Sequence, residues 1–402
     1  MSSFDLRVLN LESEAQVVSA MTSLGVDPAG IQRMVGKAQS INVLVESVPC
    51  GAANILKQEM LSIGADAAVA RGSVTCSRSY TDVLLMGTKK QLKLLVRRLP
   101  CQPFGLASIA QQLSSLLLNY YTPLAYLAGK DCRLTLDCPQ VMGIINVTPD
   151  SFYDGGVSLA VDTALSQAES QLAAGANILD IGGESTRPGS VGVSEDVEIA
   201  RVVPVVEAIR NRFDIPISVD TTKASVARAA LDSGANFIND ISGLTFDPLM
   251  ADVVATSGAG LFVMHTRGRP EVMQSDTQYQ DLVAEVISCL RCSANLAIEA
   301  GVDVDKIAID PGIGFGKSLA GNLEILQRLS EFHALGYPVL LGTSRKSFIG
   351  SILNQPQAEQ RLSGSLATVA VAVSRGVQFF RVHDVEETRH VVDTAWAMTA
   401  GR

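Results

Sequence analysis

The sequence predicts an α/β protein: a (β/α)8 TIM barrel over residues 131–402, preceded by a small α+β domain over residues 1–130. Three observations lead there. Eight short β-branched runs recur from about residue 140 onward, helical patterns alternate with them, and each run begins apolar and ends polar. The length agrees, because such a barrel takes about 250 residues and a chain of 402 then has room for one small module more.

Taken in order, the runs are GIINVTP from Gly143, NILDIGGES from Asn177, PISVDTT from Pro216, NFINDIS from Asn236, GLFVMHT from Gly260, KIAIDPG from Lys306, PVLLGTS from Pro338 and QFFRVHD from Gln378. Their polar ends place Asn146, Glu184, Asp220, Asn239, His265, Asp310, Ser344 and His383 in equivalent positions. In a closed parallel barrel all of them converge on one rim, where barrel enzymes place their chemistry. Apolar periodicity predicts helices between the runs over 160–174, 197–210, 224–233, 322–329, 364–375 and 386–398. An open doubly wound sheet is the competing architecture, but it usually holds about five or six strands, so the count of runs favours the barrel.

The first third has a different rhythm: strand-like INVLVESV from Ile41, a helix over 53–63, strand-like AAVARGSVTC from Ala67, TDVLLMG from Thr81 and a basic amphipathic helix over 90–98. That pattern suits a small sandwich with an antiparallel sheet, ferredoxin-like in order. A helix over 104–120 carries Leu106, Ile109, Ala110, Leu113, Leu116 and Leu117 at helical spacing, which predicts one face buried against the barrel or another subunit. The region holds no Gly-rich phosphate loop and no clustered metal ligands, so a structural or assembly role is the expectation.

Composition narrows the class. Hydrophobic residues make up 47% and charged residues 18%, with 33 glycines, which fits a large buried core rather than disorder. A formal charge of −9 and no long Lys/Arg cluster argue against a nucleic-acid partner. The first residues carry early acids and no apolar secretory core. The uncharged stretch 101–129 contains Gln111, Gln112, Asn119 and Pro123, which argues against a membrane helix. A cytoplasmic location is therefore expected, with the seven cysteines reduced. Cys289 and Cys292 fall within a helical pattern and supply only half of a four-ligand zinc set.

Asp220, Asn239 and Asp310 stand at neighbouring strand ends and suit a ring of alternating donors and acceptors, which a pterin edge would satisfy. Each could equally cap the following helix; three together at one rim favour a ligand. Arg381, His383 and Asn146 come from the eighth and first strands, adjacent once a barrel closes. Arg can chelate phosphate, His can donate, and Asn offers a neutral oxygen to Mg2+, so the three suit a pyrophosphate. GTSRKSFIG, from Gly342, leads a turn into a helix N-terminus that favours an anion, with Lys346 just inside. The loops TPDSFYDGGVS from Thr148 and ESTRPGSVGVS from Glu184 have the composition of mobile covers over a barrel mouth.

Together MGIINVTPDSFYDGG, DIGGESTRPGS, ISVDTTK, NDISG, IDPGIGFGK, GTSRKSFIG, RLSGSLATVAVA and RVHD resemble the dihydropteroate synthase family, in order from about Leu134 to the C-terminus. The resemblance implies condensation of (7,8-dihydropterin-6-yl)methyl diphosphate with 4-aminobenzoate on a homodimeric enzyme with Mg2+. It implies that Asp220, Asn239, Asp310 and Lys346 bind the pterin, with Met264 and Arg381 packing on it, and that Asp220, Asp310, Lys346 and Arg381 carry the catalysis. Asn146, Arg381 and His383 would hold the diphosphate, and Asn146 the metal. Phe152, Thr186, Arg187, Pro188, Phe315 and Ser344 would shape the 4-aminobenzoate site, and Asp150 and Asp154 would order the first loop. Tyr153 departs from the smaller residue the family often has, which affects only that loop's packing.

The chemistry so implied is dissociative: the bond to diphosphate breaks first and the arylamine captures a pterin methylene cation, with electrostatic stabilisation instead of a covalent nucleophile. Sulfonamides, as mimics of 4-aminobenzoate, would compete. Two other readings share the barrel. A methyltransferase passing a methyl group from methyltetrahydrofolate to a corrinoid protein should lack the diphosphate set, so Arg381, His383 and the SRK turn count against it; a non-catalytic pterin-binding scaffold would show no activity in the barrel.

Overall fold

The structure, a computed structural model, describes residues 6–11, 13–147, 156–186, 189–190 and 192–399. Asp150, Phe152, Asp154, Arg187 and Pro188, expected at the site, therefore lie outside the described residues. The chain divides into two units between Tyr121 and Thr122.

The first unit contains α1 (Glu14–Ser23), α2 (Pro28–Met34), β1 (Ser40–Pro49), α3 (Cys50–Ser62), β2 (Asp66–Val69), β3 (Tyr80–Thr88), α4 (Lys89–Arg98) and α5 (Leu106–Tyr121). Its sheet runs β1-β3-β2 with both pairs antiparallel, a split βαβ unit. A capping box between Thr88 and Gln91 starts α4. The ferredoxin-like order would continue into a fourth strand, but among the described residues the chain instead enters α5. The buried Leu106, Ala110, Leu113 and Leu117 of that helix join Leu56, Met60, Val83, Leu85 and Leu92 in one core. The face expected to seek the barrel or another subunit is thus taken up inside its own unit. The strand expected from Ala67 is shorter than its apolar run, because the chain turns at Gly72 with φ +91°. The sequence reading missed α1, which buries only Val17 and so has no apolar stripe to read.

The second unit opens with an antiparallel hairpin, β4 (Tyr126–Gly129) and β5 (Cys132–Thr135). Eight parallel strands follow: β6 (Gln140–Asn146), β7 (Ile178–Gly182), β8 (Ile217–Asp220), β9 (Phe237–Asp240), β10 (Gly260–Met264), β11 (Ile307–Asp310), β12 (Leu340–Leu341) and β13 (Phe379–Val382). Between and after them lie α6 (Gly156–Ala173), α7 (Glu195–Arg212), α8 (Ala224–Asp232), α9 (Met250–Ser257), α10 (Leu282–Glu299), α11 (Leu319–Gln327), α12 (Ser347–Leu353), α13 (Leu362–Ser374) and α14 (Val385–Thr399). Strand order is β11-β10-β9-β8-β7-β6-β13-β12, and a parallel bridge from Ile309 to Val339 closes the ring. At two turns α9 is too short to show a helical period, and the sequence reading passed over it.

The period of two along each strand sorts the side chains. Outward residues such as Val141, Ile181, Val219 and Ile309 pack under the helices in the main core. Inward residues Met142, Ile178, Phe237, Phe262, Ala308, Leu340 and Phe379 fill the barrel floor together with Leu127 and Leu134 of the hairpin. The hairpin is built into this floor: the Lys130 N–H donates to the Asn236 carbonyl at 3.0 Å. Gly129 and Gly260 leave the room that the Phe237 ring occupies. The division therefore falls before the hairpin, at residue 121, and not at the expected residue 130. Among the described residues no helix is long and apolar enough to cross a membrane.

Candidate active site

Above the apolar floor the inward positions turn polar. On β7 they read Ile178, Asp180, Gly182; on β8 Ser218 and Asp220; on β9 Phe237 and Asn239; on β11 Ala308 and Asp310; on β13 Phe379 and Arg381. The cleft they form holds about 470 Å3 of empty space, counted out to the open solvent at its mouth. Its lining is Ile144, Thr186, Asp220, Asn239, Ile241, Met264, Asp310, Ile313, Phe315, Gly342, Ser344, Lys346, Arg381 and His383. Ten of the expected residues are thus brought together: Asp220, Asn239, Met264, Asp310, Lys346, Arg381, His383, Thr186, Phe315 and Ser344.

Arg381 is the hub. Its Nε donates to Asp180 Oδ2 at 2.6 Å and its Nη2 to Asp220 Oδ2 at 2.8 Å, while Asn239 Nδ2 donates to the same Asp180 oxygen at 3.2 Å. Sequence reasoning grouped Arg381 with His383 and Asn146; its closest ties are to the acids. Asp180 is fully buried and was missed. The signal was there: an acid on the inward period of an otherwise apolar strand.

Burial opposes every charge here, and the neighbours decide by how much. Asp220 is pushed up to about 7 by desolvation, with Arg381 opposing and the nearby acids Asp180, Glu198 and Asp240 adding to the rise. Asp310 is pushed up to about 6 by desolvation, against a hydrogen bond from the Gly312 N–H at 2.7 Å and the cations Lys346 and Lys317. Lys346 is pulled down to about 8 by desolvation and by Arg381, with Asp310 and Asp220 resisting. Arg381 stays protonated: burial works against it, but Asp180 and Asp220 raise it above its usual value.

Lys346 Nζ lies 4.1 Å from the centroid of the Phe315 ring, a cation–π pair between two walls of the cleft. Its turn is held from behind. Arg345, in the left-handed region at φ +58°, is gripped by Asp384 through Nε at 3.0 Å and Nη2 at 2.5 Å. Ser344 Oγ accepts from the His383 N–H at 3.2 Å and lies 3.1 Å from His383 Nδ1. His383 stands at the mouth with its imidazole against the cleft wall, and the ring is pushed down to about 4 by desolvation and by Arg381 and Arg345.

Asn146 is exposed at the end of β6, beside Gly182, and does not line the cleft. Glu184 turns away from the cleft to pair with Lys223. Among the described residues no group of three or more His, Cys, Asp or Glu side chains could hold a metal ion. All seven cysteines are free thiols, and Cys289 and Cys292 lie on α10.

Residues 142–383 match the family of pterin binding enzymes. The dihydropteroate synthase of Synechocystis sp. is 47% identical over 258 residues, which are 64% of this chain and 89% of that protein. The Halobacterium salinarum probable bifunctional folylpolyglutamate synthase/dihydropteroate synthase is 41% identical over 382 residues, 95% of this chain and 46% of that protein. The structure of the Xanthomonas albilineans dihydropteroate synthase with 4-aminobenzoic acid superposes with a TM-score of 0.64 at 42% identity, covering 68% of this chain and 99% of that one. The chain belongs to the pterin binding enzymes, and within them to the dihydropteroate synthases.

Proposed function

We infer that the barrel condenses (7,8-dihydropterin-6-yl)methyl diphosphate with 4-aminobenzoate, giving 7,8-dihydropteroate and diphosphate; the chain is a transferase of folate biosynthesis. The observation that carries the residue roles is the ring of Asp180, Asp220, Asn239 and Asp310 around the two half-buried cations Arg381 and Lys346. Asp220, Asp310 and Asn239 accept from and donate to the edge of the pterin, with Met264 and Ile241 against its face. The two carboxylates favour positive charge developing on the pterin methylene as the C–O bond to diphosphate breaks. Asn146, Arg381 and His383, at adjacent strand ends, receive the departing diphosphate. Phe315, Ser344 and Thr186, with the α12 N-terminus, take the arylamine, and its nitrogen captures the cation and loses a proton.

Mg2+ belongs to the same reading. The chain offers the neutral Asn146 oxygen, which suits a hard cation bound mainly through substrate phosphate oxygens and water, and the ion would neutralise charge on the leaving diphosphate. Phe152, Arg187 and Pro188 would complete the arylamine site, and Asp150 and Asp154 would order the first loop. A homodimer through barrel helices, a cytoplasmic location and competition by sulfonamides complete the proposal.

The test is diphosphate release by the purified chain given the pterin diphosphate, Mg2+ and 4-aminobenzoate. Release that requires the arylamine and collapses in Lys346→Ala and Arg381→Ala supports both reaction and roles. Tight pterin binding without release would overturn it in favour of a scaffold.

A further inference from the structure

Lys317 lies behind the cleft, is 3% exposed and is absent from its lining. Its ammonium has three N–H groups and three close acceptors: the Gly312 carbonyl at 2.9 Å, the Phe315 carbonyl at 3.0 Å and His265 Nδ1 at 2.8 Å, with the His265 carbonyl beyond at 3.4 Å. Burial pulls this amine down to about 7; in its protonated form it can only donate, and His265 Nδ1 then accepts from it. No carboxylate is among these partners. The chain has wound a carbonyl cage around its own side chain.

The cage is the turn that follows β11. Gly312, Gly314 and Gly316 hold φ of +70°, +83° and +63°, and a Cβ at Gly312 would collide with the His265 carbonyl oxygen. The turn is thereby pressed onto the end of β10. Two outer ties complete it: Asn322 Oδ1 accepts from the Gly314 N–H at 2.7 Å, and the Tyr279 hydroxyl donates to the Gly316 carbonyl at 2.8 Å. Phe315 rides on this turn: its carbonyl accepts from Lys317 and its ring stands against Lys346.

We propose that Lys317 is a positioning residue for the arylamine half of the site, holding the 312–316 turn so that Phe315 forms the wall on which the ring of 4-aminobenzoate packs. The proposal rests on the synthase reading above. Asp310, which faces the pterin, precedes the turn and has its own tie to the Gly312 N–H; Lys317 also helps to hold Asp310 down, so the two substrates are compared at about pH 8, well above the range in which Asp310 titrates, where loss of Lys317 should act on the arylamine and spare the pterin.

The experiment measures the full chain and Lys317→Met in three ways: KM for 4-aminobenzoate, kcat at saturation, and Kd for the pterin diphosphate by calorimetry without arylamine. KM for 4-aminobenzoate is expected to rise about tenfold, with kcat within about threefold and the pterin Kd within about twofold. An unchanged arylamine KM, or equal weakening of both substrates, overturns the proposal. If Lys317→Met does not fold, Tyr279→Phe loosens the same turn from its outer side and should raise the arylamine KM about threefold while sparing the pterin; no change there overturns the proposal as well. Absence of arylamine-dependent diphosphate release in the unaltered chain would sink the synthase reading itself, and this proposal with it.

Discussion

Protonation of three side chains sets the pH range of the site. In the proposed roles Asp220 and Asp310 act ionised, as acceptors for the pterin, and Lys346 acts protonated; burial raises the two acids to about 7 and about 6 and lowers Lys346 to about 8. The kcat/KM for the pterin diphosphate should therefore rise as pH climbs through 6 to 7 and fall above about 8, with apparent limbs that belong to the coupled cluster rather than to one residue. A profile flat across that range would contradict the buried acid ring. Asp310 also gives a stability prediction. Its folded pKa is raised from the usual 3.8 to about 6, so the folded state holds a proton that the unfolded chain has lost, and this favourable contribution disappears as pH rises through 6. Asp310→Asn stays neutral and can keep the bond from Gly312. Relative to the unaltered protein it should gain about 1–2 kcal/mol above pH 7 and nothing near pH 4, read as melting temperature, while losing activity at least about a hundredfold. The cleft residues were legible because a polar residue at the end of an apolar run is a local signal. Asp180 was not read as a site residue because its run continues past it, and Lys317 because its partners are carbonyls of its own turn, which leave no mark in side-chain spacing.

Elements follow the same division between local and distant causes. All eight barrel strands could be read, since each alternates with a helix and each begins in an apolar, β-branched or aromatic run. What the sequence could not supply was the address of an apolar face. The stripe on α5 is visible in its spacing, yet an apolar stripe says only that something covers it; the structure shows that Leu106, Ala110, Leu113 and Leu117 close the core of the first unit. Leu113→Ala should accordingly cost about 2–5 kcal/mol. Hydrogen exchange should quicken together in α5, α3 and β3, because Leu56, Leu85 and Leu113 share one cluster. Faster exchange confined to α5 would mean the helix is peripheral to that core.

Across the whole molecule, the synthase is a property of the second unit. The Xanthomonas albilineans enzyme is matched over 99% of its length by 68% of this chain, so a protein of that family needs no counterpart to the first unit. The chain starting at Thr122 should then keep kcat/KM within about threefold of the full protein. Where the cut falls is the stringent part. A chain starting at residue 131, the boundary that composition suggested, loses β4 and with it Leu127 and the Lys130 hydrogen bond to Asn236. The rings of Phe237, Phe262 and Phe379, which now pack edge to face or tilted under the hairpin, would then meet water at the open floor. Burying one such side chain contributes about 1.5–3 kcal/mol, and a domain is stable by only about 5–15, so removing the cover from several at once removes most of the margin. The shorter chain should be recovered mainly as aggregate, and the longer one as active protein. Equal activity from both would show that the hairpin is an ornament on the barrel, and that the division of this chain lies nine residues later than its packing implies.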